Sequence, residues 1–119
     1  MASKILVIDD DPDINAILEM VLKDKGYEVY CSLTSLPIRE IADIKPELIL
    51  LDLRLTGSDR NGDVICKDIK NDEVIEQIPV IIMSAEFDIA KIASDCHADN
   101  FLPKPFEIEN LYKMIEHYI

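Results

Sequence analysis

The chain has 119 residues, near the usual size of one domain, and its 49% hydrophobic and 30% charged content is that of an ordinary globular protein. Its net charge of -12 argues against phosphate-backbone binding, which needs basic surface, and suits a divalent cation or a basic partner patch. No apolar run approaches a membrane span and no signal peptide opens the chain, so the expected location is cytoplasmic, with no membrane partner.

In chain order, Ile5–Ile8 reads as a first strand. Ile14, Ile17, Leu18, Val21 and Leu22 then form one helical stripe, with Asp11 as its cap, Pro12 at its first position and Gly26 at its exit. Glu28–Cys31 mixes polar and apolar residues and reads as an edge strand. Residues 35–44 fill a second helix, closed by Lys45-Pro46. Leu48–Leu51 and Val80–Met83 lack polar alternation, the pattern of strands buried on both faces of a parallel sheet. Residues 62–71 and 88–96 supply two more helices and Asn100–Leu102 a fifth strand. Ile108, Leu111, Tyr112 and Ile115 mark the last helix. No repeat or linker interrupts this βαβαβαβαβα order, so residues 1–119 read as one domain. Cys31, Cys66 and Cys96 fit neither a disulfide framework nor a zinc site and read as buried, reduced thiols.

Parallel strands joined by right-handed crossovers share one carboxyl edge, beyond which ligands of open α/β sheets bind. The unusual polar residues fall there: Asp9, Asp10 and Asp11 after the first strand, Asp52 after the third, Ser84 after the fourth and Lys104 after the fifth. Crowded carboxylates repel unless a positive charge sits among them. Oxygen ligands with room for water and phosphate favour Mg²⁺ over Ca²⁺. A carboxylate can also attack phosphorus to form an acyl phosphate, while a metal and Lys104 neutralise the transferring group and Ser84 donates a hydrogen bond to its oxygen. The set is chemically complete for phosphoryl transfer onto Asp52.

Ile5-Leu6-Val7-Ile8-Asp9-Asp10-Asp11-Pro12 resembles the opening of response-regulator receiver domains. So do Pro46-Glu47-Leu48-Ile49-Leu50-Leu51-Asp52-Leu53, Pro79-Val80-Ile81-Ile82-Met83-Ser84-Ala85 and Phe101-Leu102-Pro103-Lys104-Pro105-Phe106. The resemblance covers essentially the whole chain. It implies a three-layer, doubly wound (βα)5 flavodoxin-like α/β fold with a five-stranded parallel sheet of order 2-1-3-4-5. It also implies that Asp52 accepts the phosphoryl group from a histidine kinase or phosphotransfer protein. Asp10 and Asp52 would hold Mg²⁺ with the backbone carbonyl of Arg54, Asp9 acting mainly through water. Lys104 would pair with the phosphoryl group, Ser84 and Phe101 would switch, and Lys104-Pro105 would be a cis bond. The face of the fourth helix, fifth strand and fifth helix would then change shape for a downstream target, an output domain or a second copy in a phosphorylation-dependent homodimer. Turnover beyond self-phosphorylation and slow self-dephosphorylation is not expected, so the chain does not read as an enzyme. With no output module after Ile119, it reads as a single-domain regulator or the excised receiver of a longer one.

Two departures stand out. Thr56 occupies the place of a usual proline, and Gly62 arrives two residues late, after Ser58-Asp59-Arg60-Asn61, so the loop after the third strand is longer. His97 stands where the family commonly has glycine; it and His117 read as bland. Arg54 and Glu86 leave adjacent strand ends with opposite charges, and three arrangements stay open: a pair across the mouth of the site, Arg54 on a phosphoryl oxygen, or two independent solvated side chains. A degenerate receiver acting only as an interaction domain is the main alternative, opposed by intact Asp52, Asp10 and Lys104. A haloacid-dehalogenase-type phosphatase would need an acid where Arg54 stands. An EF-hand reading of Asp9, Asp11 and Asp13 fails at Ile14 and Met20, where glycine and glutamate are required.

Overall fold

The computed structural model describes residues 2–119. Its elements run β1 (Lys4–Ile8), α1 (Pro12–Asp24), β2 (Glu28–Ser32), α2 (Ile38–Ile44), β3 (Leu48–Asp52), α3 (Gly62–Lys70), β4 (Val80–Ser84), α4 (Ile89–Asp95), β5 (Asn100–Pro103) and α5 (Ile108–Tyr118). The strands are all parallel in the order β2-β1-β3-β4-β5. This is the expected flavodoxin-like sheet, with β2 at an edge.

The apolar runs lack alternation because each strand serves two cores. Side chains of successive strand residues point to opposite faces. Ile5, Val7, Leu48, Leu50, Ile81 and Met83 pack with Leu18 and Leu22 of α1 and Leu111 and Ile115 of α5. Leu6, Ile8, Ile49, Leu51, Val80 and Ile82 pack on the other face with Ile41 of α2, Ile65 and Ile69 of α3 and Ala93 of α4. Every residue of β3 and β4 is buried. Truncating one of these side chains to alanine would cost about 2–5 kcal/mol.

The local signals at α1 act as read: Asp11 is the N-cap, accepting from the Asp13 N–H at 2.9 Å, and Pro12 is the first helical residue. Gly26 follows with φ 91°, a left-handed conformation that suits glycine. Helix α2 is shorter than the expected 35–44. Pro37 is its N-cap in extended conformation, and a residue before proline is held out of the helical region, so the helix starts only at Ile38. The expected 62–71 and 88–96 helices become Gly62–Lys70 and Ile89–Asp95. The strands in turn reach one residue further: Asp52 and Ser84 are the last residues of β3 and β4, opposite Met83 and Pro103, rather than the residues after them.

Cys66 and Cys96 are buried, but Cys31 on the edge strand is only partly so, which corrects the reading of three buried thiols. His97 has φ 63°, in the left-handed region where glycine is favoured. Among the described residues no helix is long and apolar enough to cross a membrane.

Candidate functional site

The carboxyl ends of β1, β3, β4 and β5 bring Asp9, Asp10, Asp52, Ser84 and Lys104 together. Asp9 is fully buried, and Asp52 and Ser84 are nearly so. One carboxylate oxygen from each of Asp9, Asp10 and Asp52 lies within 4.8 Å of the others. The Lys104 ammonium donates to Asp9 Oδ2 at 2.8 Å and to Asp52 Oδ1 at 3.2 Å. Lys104 thus pairs with both buried acids, and the Lys104-Pro105 bond that follows is cis, as expected.

One ammonium does not balance three carboxylates. Burial and the neighbouring Asp9 charge push the Asp52 carboxyl up to about 6, against the pull of Lys104. Asp52 nevertheless remains mostly ionised at neutral pH. Lys104 is raised above its ordinary value: burial opposes its charge, and the hydrogen bonds and charges of Asp9 and Asp52 outweigh that. The donor set, oxygen atoms with excess negative charge, fits a hard divalent cation.

Backbone donors fix two of the three acids. Asp9 Oδ1 accepts from the Asp11 N–H at 3.0 Å, and Asp10 Oδ2 accepts from the Thr56 N–H at 3.0 Å. Ser84 Oγ accepts from the Glu86 N–H at 3.0 Å, which orients the start of the loop after β4. An open cleft of about 370 Å³ is lined by Asp10, Asp52, Ser84 and Lys104 on its floor and by Arg54, Thr56 and Glu86 at its rim. Arg54 and Glu86 pair there, Nε to Oε1, at 2.7 Å. Phe101 is partly buried and packs against the core beneath α2, α3 and α4.

The longer loop after β3 is well anchored. Leu53 and Leu55 are buried, and the Leu55 N–H donates to Asn61 Oδ1 at 3.1 Å. Arg60 pairs with Asp68 of α3 and donates to the Leu36 carbonyl ahead of α2 at 2.8 Å, while Ser35 donates to Asp59 at 2.6 Å. The extra residues therefore lie toward α2, and the acid-facing stretch at Thr56 stays close to Asp10. Gly62 returns the chain over β3, its N–H donating to the Leu53 carbonyl at 2.8 Å. A Cβ on Gly62 would overlap the carbonyl oxygen of Asp52, so the late glycine has a steric reason.

Sequence reasoning missed Asn15 and the Thr56 N–H. Asn15 Nδ2 donates to the Asp9 carbonyl at 2.9 Å and the Ser32 carbonyl at 3.2 Å, tying the ends of β1 and β2 behind the acids. Its signal was a lone amide beside the apolar stripe of α1. A backbone donor such as that of Thr56 leaves no signal in residue type.

Comparison with known proteins agrees with this geometry. The family model described as "Response regulator receiver domain" matches residues 5–116. A curated relative, the "DNA-binding dual master transcriptional regulator RpaA" of Synechocystis sp., is 36% identical over 111 residues, 91% of this chain. The chain spans only 45% of that relative's length. Among solved structures, the receiver domain of NtrX from Brucella abortus is 29% identical with a TM-score of 0.84, covering 96% of each chain. A two-component response regulator from Clostridium difficile is 29% identical with a TM-score of 0.85, covering 98% of this chain and 94% of that one. CheY4 of Vibrio cholerae, at 21% identity, shares the fold with a TM-score of 0.86 over 100% of both chains. With a parallel sheet whose carboxyl edge gathers these acids, and a family match across nearly its whole length, the chain belongs to the response-regulator receiver domains, a family of signalling domains.

Proposed function

We propose that this receiver takes a phosphoryl group onto Asp52 from the phosphohistidine of a histidine kinase or phosphotransfer protein. The observation that carries the reading is Lys104 held between Asp9 and Asp52 at the end of a fully buried strand. An Asp52 oxygen attacks phosphorus, the phosphorus–nitrogen bond to histidine breaks, and an acyl phosphate forms. Asp52 is ionised near neutral pH and so is competent as the nucleophile. Lys104 can move from its carboxylate partners to a phosphoryl oxygen without leaving the cleft, and the Ser84 hydroxyl has a proton to donate to another. Asp9, Asp10 and Asp52, with the Arg54 carbonyl, are the residues that would hold Mg²⁺. When bound, the ion neutralises charge on the transferring group.

Ser84 and Phe101 flank α4 in the chain, so a shift of the serine toward the phosphoryl group and of the aromatic ring inward would reshape the α4–β5–α5 face. A target, an output domain or a second copy would read that change. The acidic balance disfavours direct nucleic-acid contact by this piece; the DNA binding in the relative's name belongs to a protein more than twice as long. A cytoplasmic location and the absence of turnover on external substrates belong to the same reading.

Incubation with acetyl phosphate and Mg²⁺ should add one phosphoryl group by intact mass, and Asp52→Asn should abolish it. Equal labelling of the variant would overturn the assignment. An interaction-only receiver is the second reading, favoured by the Thr56 N–H already on Asp10 and the Arg54–Glu86 pair at the rim. Wild-type protein that takes up no phosphoryl group would select it.

A further inference from the structure

Two of the three cysteines meet in the interior on the side of the sheet opposite α1 and α5. Cys66 lies on α3 and Cys96 is the C-cap of α4, thirty residues on, and both are fully buried. The Cys66 thiol donates to the Cys96 carbonyl oxygen at 3.3 Å, which sets the two cysteines against each other. The Cys96 sulfur in turn lies 3.5 Å from the Ala93 carbonyl oxygen. A metal does not account for the pair: among the described residues, the group of three or more donors placed to hold one is the carboxylate trio of Asp9, Asp10 and Asp52. A narrow cleft of about 120 Å³ between α3 and α4 is lined by Asp63, Lys67, Ile92, Asp95 and Cys96, so Cys96 is the member of the pair that borders it, although its side chain is covered.

We propose that Cys66 and Cys96 form a reversible intramolecular disulfide, a redox modification site that ties α3 to the end of α4, with hydrogen peroxide as the oxidant. The first step is attack of the Cys96 thiolate on the peroxide: the O–O bond breaks, a sulfenic acid forms, and the departing hydroxide takes a proton to become water. Cys66 then attacks the Cys96 sulfur; the S–O bond breaks, the disulfide forms, and the sulfenic oxygen leaves with the Cys66 proton as a second water. Two thiols are oxidised and one peroxide is reduced to two waters.

The two sulfurs differ in the way this order requires. The neighbouring Cys66 thiol stabilises negative charge on Cys96 and, against burial, draws its thiol below the ordinary value. The proton is held on Cys66, which its hydrogen bond to Cys96 and burial push up. A thiol of lowered pKa beside a second thiol able to resolve its sulfenic acid is the arrangement of a redox-sensitive cysteine. Cys31 lacks it: burial and the charge of Glu19 push that thiol up to about 11.

The test uses the whole reduced chain, treated with hydrogen peroxide, then unfolded and alkylated. The expected product is two hydrogens lighter before alkylation, takes up alkylating reagent at Cys31 alone, and yields a Cys66–Cys96 cross-linked peptide that dithiothreitol releases. Cys31→Ser should give the same cross-link. Cys66→Ser should stop at a Cys96 sulfenic acid that dimedone traps. Full alkylation of Cys66 and Cys96 after peroxide, sulfinic acids without a cross-link, or disulfide dimers through Cys31 as the sole product would each overturn the proposal.

Discussion

Arg54 Nε donates to Glu86 Oε1 at 2.7 Å, joining the loops after β3 and β4 across the rim of the acidic cleft. The two residues stand two positions after Asp52 and two after Ser84, and both line the cleft that holds the Asp52 carboxylate. Arg54 is solvent-exposed, and such a pair adds little to stability. Its consequence would be kinetic. Hydrolysis of an acyl phosphate needs a water in line with the phosphorus–oxygen bond, and a guanidinium held over the cleft obstructs that water.

Arg54→Ala should therefore shorten the lifetime of phosphorylated Asp52 several-fold while leaving Mg²⁺ affinity nearly unchanged. The check is to phosphorylate both proteins, remove the donor rapidly and follow decay by mass. Equal decay rates would show that the pair is no gate.

Much of this site was legible because charge and position are written in residue types. Asp9, Asp10, Asp52, Ser84 and Lys104 each end an apolar run, and the parallel topology sends all such ends to one edge. Opposite charges at adjacent strand ends likewise announced Arg54 and Glu86. What was illegible depends on backbone or on distance in the chain. The Thr56 N–H on Asp10, the bond from Asn15 to the Asp9 carbonyl and the meeting of Cys66 with Cys96 leave no periodic mark. The start of α2 lies three residues later than expected because Pro37 holds Leu36 out of the helical region.

Asp52→Asn should stabilise the metal-free protein at neutral pH. Asp52 titrates near 6 in the folded chain against 3.8 for the ordinary group, so the folded state binds more protons between those values and stability falls as pH rises through them. The penalty is absent below pH 3.8 and complete above about 6, where it is on the order of 3 kcal/mol. Asparagine removes it while Asp9 keeps its contact with Lys104. Urea unfolding of both proteins from pH 4 to pH 8 should show their difference growing with pH and then levelling. A difference independent of pH would contradict the charge origin.

Saturating Mg²⁺ should raise the melting temperature, because only the assembled carboxylate trio can bind it. At one hundred times the dissociation constant the gain is about 2.7 kcal/mol. Asp10→Ala removes one ligand and should shrink the shift at fixed metal concentration. A wild-type melting temperature indifferent to millimolar Mg²⁺ would count against a metal site.

The final prediction sets helix propensity against steric contact at Gly62. This glycine opens α3 with no positive φ, so on propensity alone Gly62→Ala should stabilise the chain by about 0.5–1 kcal/mol. The structure demands the opposite sign. A Cβ at Gly62 would overlap the Asp52 carbonyl oxygen and crowd the Leu53 Cα, and both are backbone atoms of a buried strand end that cannot rotate away. Relief requires moving the start of α3 or the end of β3, at a cost near the upper end of overpacking, about 3 kcal/mol. Gly57 is the internal control. It has φ 82° but open space around its Cβ position, so Gly57→Ala meets only left-handed strain of about 1–2 kcal/mol. Denaturant midpoints should rank wild type above Gly57→Ala above Gly62→Ala. Displacement of the Asp52 backbone should also weaken Mg²⁺ binding in Gly62→Ala and not in Gly57→Ala. A Gly62→Ala protein as stable as wild type would mean that α3 does not press on β3 as described.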